Sequence, residues 1–302
     1  MQFGVPAAEV DVTIELARAV LREQHADLAE LPIVHLDTGW DNCMFRLGDA
    51  LMLRFPRRQV AAGLLVHEQM ILPMLAPRLC LPVPTPVRVG RASELYPWSF
   101  SVVPWFRGVP VGVAGLAAEH AALFARFLRE LHQPAPDTAP RSLVRGVSLG
   151  QRATAIEARM EPLRVTTPYI TPRIDGLWQR ALAVEPASES CWLHGDLHAL
   201  NVLVDAGKLS AVIDWGDLTA GDVATDLACA WTLFETPEGR RTMLERYGAS
   251  TALRQRAVGW AVGFGAILLS AGLVNSPRLA ELGKATLLRL DADAAAGVYD
   301  GW

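Results

Sequence analysis

The first hundred residues combine helix-like and strand-like spacing of apolar positions. Apolar residues recur at helical spacing over residues 10–25, which predicts an amphipathic helix, and a second helix is expected over 62–75. Runs rich in apolar and β-branched residues predict strands at 32–39, 43–48, 49–56 and 98–103. This part of the chain is therefore expected to be β-rich.

An arginine lies in the third of these predicted strands. Leu51, Leu53 and Phe55 alternate with Met52 and Arg54, so Arg54 is expected on the face opposite the other three. One interpretation is an arginine with a role in binding, and the alternative is an exposed strand residue. The pattern alone leaves both open.

Beyond residue 112 the pattern becomes helical. A long amphipathic run predicts a helix, a proline-containing surface loop follows it, two shorter helices come next, and nearly everything after Asp226 is expected to be helical. The long helix is predicted over 114–133, the loop over 133–146, and the two shorter helices over about 151–162 and about 173–184. The sequence thus predicts an α+β fold, with a small β-rich domain over 1–105 and a larger α-helical domain over 106–302.

Charge and cysteine content narrow the classes of function. The net charge is −4 and no basic cluster dominates, which argues against nucleic acid as the main partner. The four cysteines show no CxxC spacing, which indicates thiols in a reducing compartment. The first residues have neither a basic segment nor an apolar one, so secretion is not expected. A cytoplasmic location is expected instead.

Residues 257–274 form an uncharged stretch that could be considered as a membrane span. The stretch has eighteen residues, at the lower limit for a membrane span, but it contains four glycines and a serine. A buried helix is the preferred interpretation, and no membrane partner is expected.

Polar residues are concentrated in the segment 192–217, WLHGDLHALNVLVDAGKLSAVIDWGD. Asp196 comes five residues before Asn201, and Asp214 follows thirteen residues later. The residues between them read as two short strands around the turn DAGK, and such a hairpin would bring the three polar residues together.

These residue types suit phosphoryl transfer. That reaction needs a carboxylate to orient the attacking hydroxyl and accept its proton, together with oxygen ligands for the magnesium ion on the phosphates. Asp196, Asn201 and Asp214 follow the order and spacing of a kinase catalytic loop and its metal-binding aspartate.

The combination of HGDLHALN, IDWGD and DVATDLA resembles the aminoglycoside phosphotransferase family, a small-molecule branch of the protein-kinase-like fold. The segment LMLRFPRR is also similar to one found in macrolide phosphotransferases. The resemblance implies a two-lobed fold, ATP or GTP bound between the lobes with Mg²⁺, and phosphorylation of a small-molecule hydroxyl.

The resemblance also implies roles for individual residues. Asp196 would be the catalytic base, and Asn201 and Asp214 would bind magnesium. Asp226 would hold the catalytic loop through backbone N–H groups. His194 is expected to support the backbone, while His198 could face the acceptor or fill the loop. Asp217, close in sequence to the metal-binding Asp214, would support the metal site without binding the metal itself.

In the N-terminal half the resemblance is looser. The turn at 37–42 would cover the nucleotide or be an ordinary hairpin turn. Arg54 would contact phosphate in place of the usual lysine, with Glu68 as its helix partner, although a planar guanidinium is not equivalent to an ammonium. In the segment between the halves, the Pro104 carbonyl and the Phe106 N–H would bind adenine.

The acceptor is the least determined feature. An aminoglycoside-type antibiotic is the first expectation, and a macrolide or another small metabolite is the alternative. A nucleotide-binding pseudokinase is the competing class of function. Glu157, Glu161 and Asp175 could receive a polycationic acceptor or simply face solvent. The aromatic residues Trp231 and Phe234 would favour an apolar acceptor or be buried in the core. Monomer and homodimer are equally compatible with the sequence.

Overall fold

The computed structural model describes residues 7–39 and 41–302. The predictions on the first six residues and on Trp40, in the turn at 37–42, lie outside the described residues. The contacts divide the chain into two compact units. The first unit comprises the described residues up to Arg107 together with Ala211–Gly216, and the second comprises Gly108–Ser210 and Asp217–Trp302. The sequence had placed the boundary between residues 105 and 106.

The first unit is built on a five-stranded sheet with the order β1-β2-β3-β5-β4, in which all neighbouring strands are antiparallel. Its strands are β1 (Ile33–Thr38), β2 (Asn42–Leu47), β3 (Leu51–Pro56), β4 (Arg88–Gly90) and β5 (Phe100–Pro104). Its helices are α1 (Ile14–Gln24) and α2 (Gln59–Leu75), with 3-10 turns at Ala26–Leu28 and Ala76–Arg78.

Alternation in β2 shows why this sheet forms. Cys43, Phe45 and Leu47 are buried while the residues between them are partly exposed, so one face of the strand enters the core. Phe55 of β3 stacks on Phe100 of β5 with ring centroids 4.6 Å apart. The aromatic pair therefore joins neighbouring strands over the core of the first unit.

The second unit is mainly helical and includes two small sheets, β10-β7 and β6-β8-β9. Its strands are β6 (Val109–Pro110), β7 (Cys191–Leu193), β8 (Val202–Asp205), β9 (Lys208–Val212, whose last two residues belong to the first unit) and β10 (Thr219–Gly221). Its helices are α3 (Val111–Ala114), α4 (Ala121–Leu131), α5 (Leu149–Thr166), α6 (Pro172–Leu182), α7 (Ala224–Leu227), α8 (Cys229–Leu233), α9 (Pro237–Tyr247), α10 (Thr251–Asn275) and α11 (Pro277–Ala295).

The predicted helix over 114–133 is wrong in its first part. The chain instead forms α3, a 3-10 turn at Ala118–His120, and then α4 from Ala121. Gly115, with φ of +74°, ends α3 in a conformation that L side chains rarely adopt. The apolar spacing was correct, but this backbone turn interrupts the hydrogen bonding of a continuous helix.

The uncharged stretch at 257–274 lies in α10, and 72% of its most apolar window is buried within the protein, as the sequence analysis expected. Glycines in α10 permit this burial, because a Cβ at Gly263 would lie 2.8 Å from Ile156 of α5. By length and composition the segment at Gln59–Arg78 also passes the test for a membrane span, with 39% buried.

The α+β fold with a β-rich N-terminal part and a helical C-terminal part is confirmed. The hairpin of β8 and β9 is present as predicted, and its turn residues Ala206 and Gly207 both have positive φ.

Candidate active site

The loop that follows β7, residues 194–201, carries the predicted catalytic residues. It begins with His194 and Gly195, both in the second unit. Gly195 has φ of +86°, and a Cβ there would lie 2.3 Å from the carbonyl oxygen of Asp217. Only glycine fits this close approach of two backbone segments.

Asp226 of α7 anchors the loop through hydrogen bonds to its backbone. Its Oδ2 accepts the N–H of His194 at 2.8 Å and its Oδ1 accepts the N–H of Gly195 at 2.9 Å. Burial opposes its charge, but hydrogen bonding with His132 and the charges of His132 and His194 lower the pKa of Asp226. The predicted anchoring of the loop by Asp226 through backbone N–H groups is thus confirmed.

His132 continues this anchor. Its Nε2 lies 3.2 Å from Asp226 Oδ2, and its Nδ1 lies 2.9 Å from the Tyr247 hydroxyl. His132 lies 94 residues before Asp226 in the chain, at the end of α4. Sequence analysis gave it no role, because nothing in its local pattern indicates which buried group it meets.

Asp196 lies in a positively charged environment. Its Oδ1 accepts from Arg145 Nη2 at 2.7 Å, and its Oδ2 lies 3.4 Å from His198 Nε2. Burial opposes ionisation, but Arg145, His198 and His194 outweigh it and hold the pKa of Asp196 well below its ordinary range. The carboxylate is therefore ionised at neutral pH.

Arg145 is the residue of this site that sequence analysis missed. It belongs to the segment 133–146, which was expected to be a surface loop, yet its side chain is only 17% exposed. The Ser142 hydroxyl accepts the N–H of Arg145, and the N–H of Gly146 donates to Thr225 of α7, so the end of the loop is fixed beside the catalytic loop. No sequence signal distinguishes Arg145 from Arg141, which is exposed.

Both histidines of the loop are buried. His194 Nδ1 accepts the N–H of Asp196 at 3.3 Å, which agrees with the expected support of the backbone. His198 Nδ1 accepts the N–H of Leu200, while its Nε2 faces the Asp196 carboxylate. His198 therefore fills the loop, with one ring nitrogen beside the Asp196 carboxylate.

Asn201 is held in an orientation suited to a cation ligand. Its Nδ2 donates to the backbone carbonyl of Asp196 at 2.9 Å. Since the amide N–H₂ is bound to the loop, the amide oxygen is the atom of this group that could bind a hard cation such as Mg²⁺.

Arg54, Glu68 and Asp214 meet in the first unit. Arg54 Nη1 donates to Glu68 Oε1 at 2.5 Å, and its Nη2 lies 3.5 Å from Asp214 Oδ1. Burial opposes the charge of Arg54, but these two carboxylates prevail and raise its pKa. Arg54 is not an exposed strand residue, because both it and Glu68 are buried.

Asp214 has the features of a ligand side chain. Its side chain is 59% exposed and its φ is +62°, a strained conformation for a residue other than glycine. An accessible carboxylate in a strained backbone fits a magnesium ligand. Among the described residues, no group of three His, Cys, Asp or Glu side chains is placed to hold a metal ion.

The predicted adenine contacts lie at the end of β5. The N–H of Trp105 donates to the Ala50 carbonyl at 2.8 Å. Because successive backbone groups of a strand point to opposite sides, the Pro104 carbonyl faces away from β3. Trp98 belongs to the core, whereas Trp105 is partly exposed with the Arg46 guanidinium 4.2 Å from its ring centroid.

The expected acceptor residues are already engaged. Glu157, Glu161 and Asp175 all pair with Arg164, at 3.0, 2.7 and 2.8 Å. Trp231 and Phe234 are buried in the second unit, so of the two expected possibilities they belong to the core rather than to an apolar acceptor surface. The indole N–H of Trp231 lies within hydrogen-bonding distance of Asp293 and Tyr299, which explains its place in the core.

A model of the phosphotransferase enzyme family (APH) matches residues 32–260. The chain belongs to this family. It is therefore a phosphotransferase, and the resemblance inferred from the motifs is confirmed. A search of curated protein sequences found no match.

Solved structures support the kinase-like fold. The GDP complex of wild-type aminoglycoside 2'-phosphotransferase-IIIa is 19% identical, with a TM-score of 0.65, and the match covers 93% of this chain and 98% of that one. The macrolide 2'-phosphotransferase MphH from Brachybacterium faecium is 21% identical, with a TM-score of 0.58 and coverage of 91% and 98%. The streptomycin–ATP complex of APH(2")-IIa is 21% identical, with a TM-score of 0.58 and coverage of 85% and 91%.

Proposed function

We propose that this phosphotransferase moves the γ-phosphoryl group of ATP or GTP to a hydroxyl of a small molecule. The observation that carries the proposal is the catalytic loop, in which the backbone is fixed by Asp226 and the carboxylate of Asp196 is ionised. A fixed, ionised carboxylate can orient an attacking hydroxyl and accept its proton as the new bond forms.

In this proposal Asn201 and Asp214 hold Mg²⁺. The bound ion would neutralise charge on the phosphates of the nucleotide. The orientation of the Asn201 amide and the exposure of the strained Asp214 carboxylate support these assignments.

Arg54, fixed by Glu68, is proposed to contact nucleotide phosphate. Its Nη1 is bound to Glu68, which fixes the position of the guanidinium, and its Nη2 lies near Asp214. The Pro104 carbonyl and the Phe106 N–H are proposed to bind adenine. Solved neighbours contain GDP or ATP, which is why both donors are retained.

Three classes of acceptor are compatible with the family. The neighbours are named for aminoglycosides, among them kanamycin and gentamicin complexes, and for macrolides. An aminoglycoside-type antibiotic is the acceptor that the resemblance first implied, with a macrolide or another small metabolite as alternatives. Pairing of Glu157, Glu161 and Asp175 with Arg164 weakens the case for a polycationic acceptor.

A cytoplasmic location and a monomer or homodimer complete the proposal. The four cysteines, all among the residues described, form no disulfide, which supports a reducing compartment. Small-molecule acceptors and a nucleotide are the proposed partners, without nucleic acid or membrane.

The proposal is tested by incubating the protein with Mg²⁺, ATP or GTP and a panel of aminoglycosides, macrolides and hydroxylated metabolites. Mass spectrometry should show one acceptor gaining a single phosphate while the nucleotide is consumed. Nucleotide binding without any phosphorylated acceptor, and without nucleotide consumption, would instead support the pseudokinase alternative.

A further inference from the structure

Three arginines follow one another along the start of α5. Arg145 precedes the helix, and Arg152 and Arg159 lie within it, seven residues apart. Seven residues are close to two helical turns, so Arg152 and Arg159 lie on the same face, ~10 Å apart along the axis. We call Arg145, Arg152 and Arg159 the arginine row.

The arginine row lies beside α10. The guanidinium carbon of Arg145 is 5.0 Å from the ring centroid of Phe264, and Arg159 Nη1 donates to the Ser270 hydroxyl at 3.3 Å. Ile156 of α5 also lies against Gly263 of α10. The row therefore follows the junction of the two helices rather than the open side of α5.

Arg152 is an uncompensated cation in this row. It makes no hydrogen bond or ion pair with the residues at 7–39 and 41–302, and its Nε is buried without a partner. Burial lowers the pKa of Arg152, and the charges of Arg145 and Arg159 lower it further. A partly buried cation beside two others is unfavourable unless an anion compensates it.

The carboxylates of α5 do not provide that compensation. Glu157 and Glu161 lie well around the helix from Arg152 and pair with Arg164. Helix α5 thus separates its charges, with acids and Arg164 on one side and the arginine row on the other.

One end of the row is at the catalytic carboxylate. Arg145 Nη2 is 2.7 Å from Asp196 Oδ1 and 3.6 Å from Asp217 Oδ2, so Arg145 faces two carboxylates, whereas Arg152 pairs with no acid among the described residues. A molecule whose hydroxyl reaches Asp196 could therefore place a second group on Arg152, which lies close enough to Arg145 for their charges to interact.

We propose that the arginine row is an anion-binding subsite that receives an acidic group, a carboxylate, sulfate or phosphate, of the acceptor. The inference rests on the proposed function and narrows its acceptor to an acidic hydroxyl compound rather than a polycation. Arginine suits this task because its planar fork matches the oxygens of such groups. Nucleotide phosphate has the same chemistry, but its proposed ligands Arg54 and Asp214 belong to the first unit, whereas the row belongs to the second.

Binding of inorganic sulfate tests the subsite without requiring turnover. Calorimetry at constant ionic strength, with chloride as the reference anion and with saturating ADP present, should show sulfate binding to the wild-type protein. Arg152→Gln should weaken this binding about tenfold or more, and Arg152→Lys, which keeps the charge, should weaken it less. Arg164→Gln, on the same helix but outside the row, is the matched control and should leave sulfate binding unchanged.

Three results would overturn the proposal: no sulfate binding to the wild type, binding that is lost when ADP is added, or equal binding by the wild type and both Arg152 variants. If Arg152→Gln fails to fold, the comparison of Arg152→Lys with the wild type decides, because lysine loses the fork but keeps the cation. Failure of the proposed function would appear separately, as wild-type protein that binds sulfate through Arg152 yet phosphorylates no acceptor.

Discussion

Each unit contains an arginine–carboxylate pair at a predicted functional position, and the two pairs differ in depth. In the first unit the side chains of Arg54 and Glu68 are 4% and 0% exposed. In the second unit those of Arg145 and Asp196 are 17% and 25% exposed. The distances are similar, at 2.5 and 2.7 Å, so exposure rather than geometry separates them.

This difference indicates what each carboxylate does. Glu68 has no access to solvent or to a ligand, so its charge serves to hold Arg54. Asp196 retains access, and Arg145 occupies only one of its oxygens while the other faces His198. A carboxylate that must meet a substrate cannot be buried as deeply as one that only positions a neighbour.

The largest expected effect is on turnover. Asp196→Asn keeps the shape of the side chain but removes its charge and proton acceptor, so kcat should fall about 10²–10⁴-fold. Nucleotide affinity, measured by calorimetry, should change little. Asp217→Asn, which removes a carboxylate near the same arginine, is the control and should cost much less. Near-normal turnover by Asp196→Asn would remove that residue from the role of base.

The next effect is on stability. Glu68→Ala removes the buried partner of Arg54 and leaves its charge only the longer contact with Asp214, which should cost about 3–5 kcal/mol of unfolding free energy. Arg145→Ala breaks the partly exposed pair and should cost about 1 kcal/mol. Denaturant unfolding measures both values. Equal losses would show that depth does not distinguish the two pairs.

A smaller effect concerns magnesium. Asp214→Ala should abolish the enhancement of nucleotide binding by Mg²⁺, which we expect to be about tenfold or more in the wild type. Calorimetry with and without Mg²⁺ is the measurement. Asp205→Ala, at the exposed end of β8, is the control. An unchanged magnesium effect in Asp214→Ala would place the ligand elsewhere.

The smallest expected effect is on pH dependence. Arg145 helps to lower the pKa of Asp196, and activity needs the ionised carboxylate, so wild-type activity is lost only as pH falls through that lowered pKa. Arg145→Gln should raise the pKa of Asp196 and move the acid limb of kcat/KM to higher pH. The shift should be at most about one to three pH units, which is the effect of one neighbouring charge. Rate profiles of the two proteins would show it. An acid limb at the same pH in both would mean that Arg145 does not act on Asp196.

Much of the site could be predicted from local pattern. Asp196, Asn201 and Asp214 lie within nineteen consecutive residues, and the hairpin between them was visible as two apolar runs around a turn. Arg54 and Glu68 lie on adjacent elements, a strand and the helix after it. Their contact was implied by the resemblance to the kinase-like family, and it joins two elements that are neighbours in the chain.

Other contacts could not be predicted because they join distant segments. Arg145 reaches Asp196 across 51 residues, and His132 reaches Asp226 across 94. The acids of α5 and α6 were compatible with an acceptor surface until Arg164 was found among them. The periodicity of apolar residues does not predict which charged side chains come into contact.

The sequence by itself determined the α+β fold, the catalytic hairpin and the family, since apolar spacing and a compact motif are properties of short segments. Only the tertiary structure decided the charge around Asp196, the burial of Trp231 and the partly buried, uncompensated Arg152. The physical reason is that burial and Coulomb interactions depend on distance in space, and packing brings together residues that the chain keeps far apart.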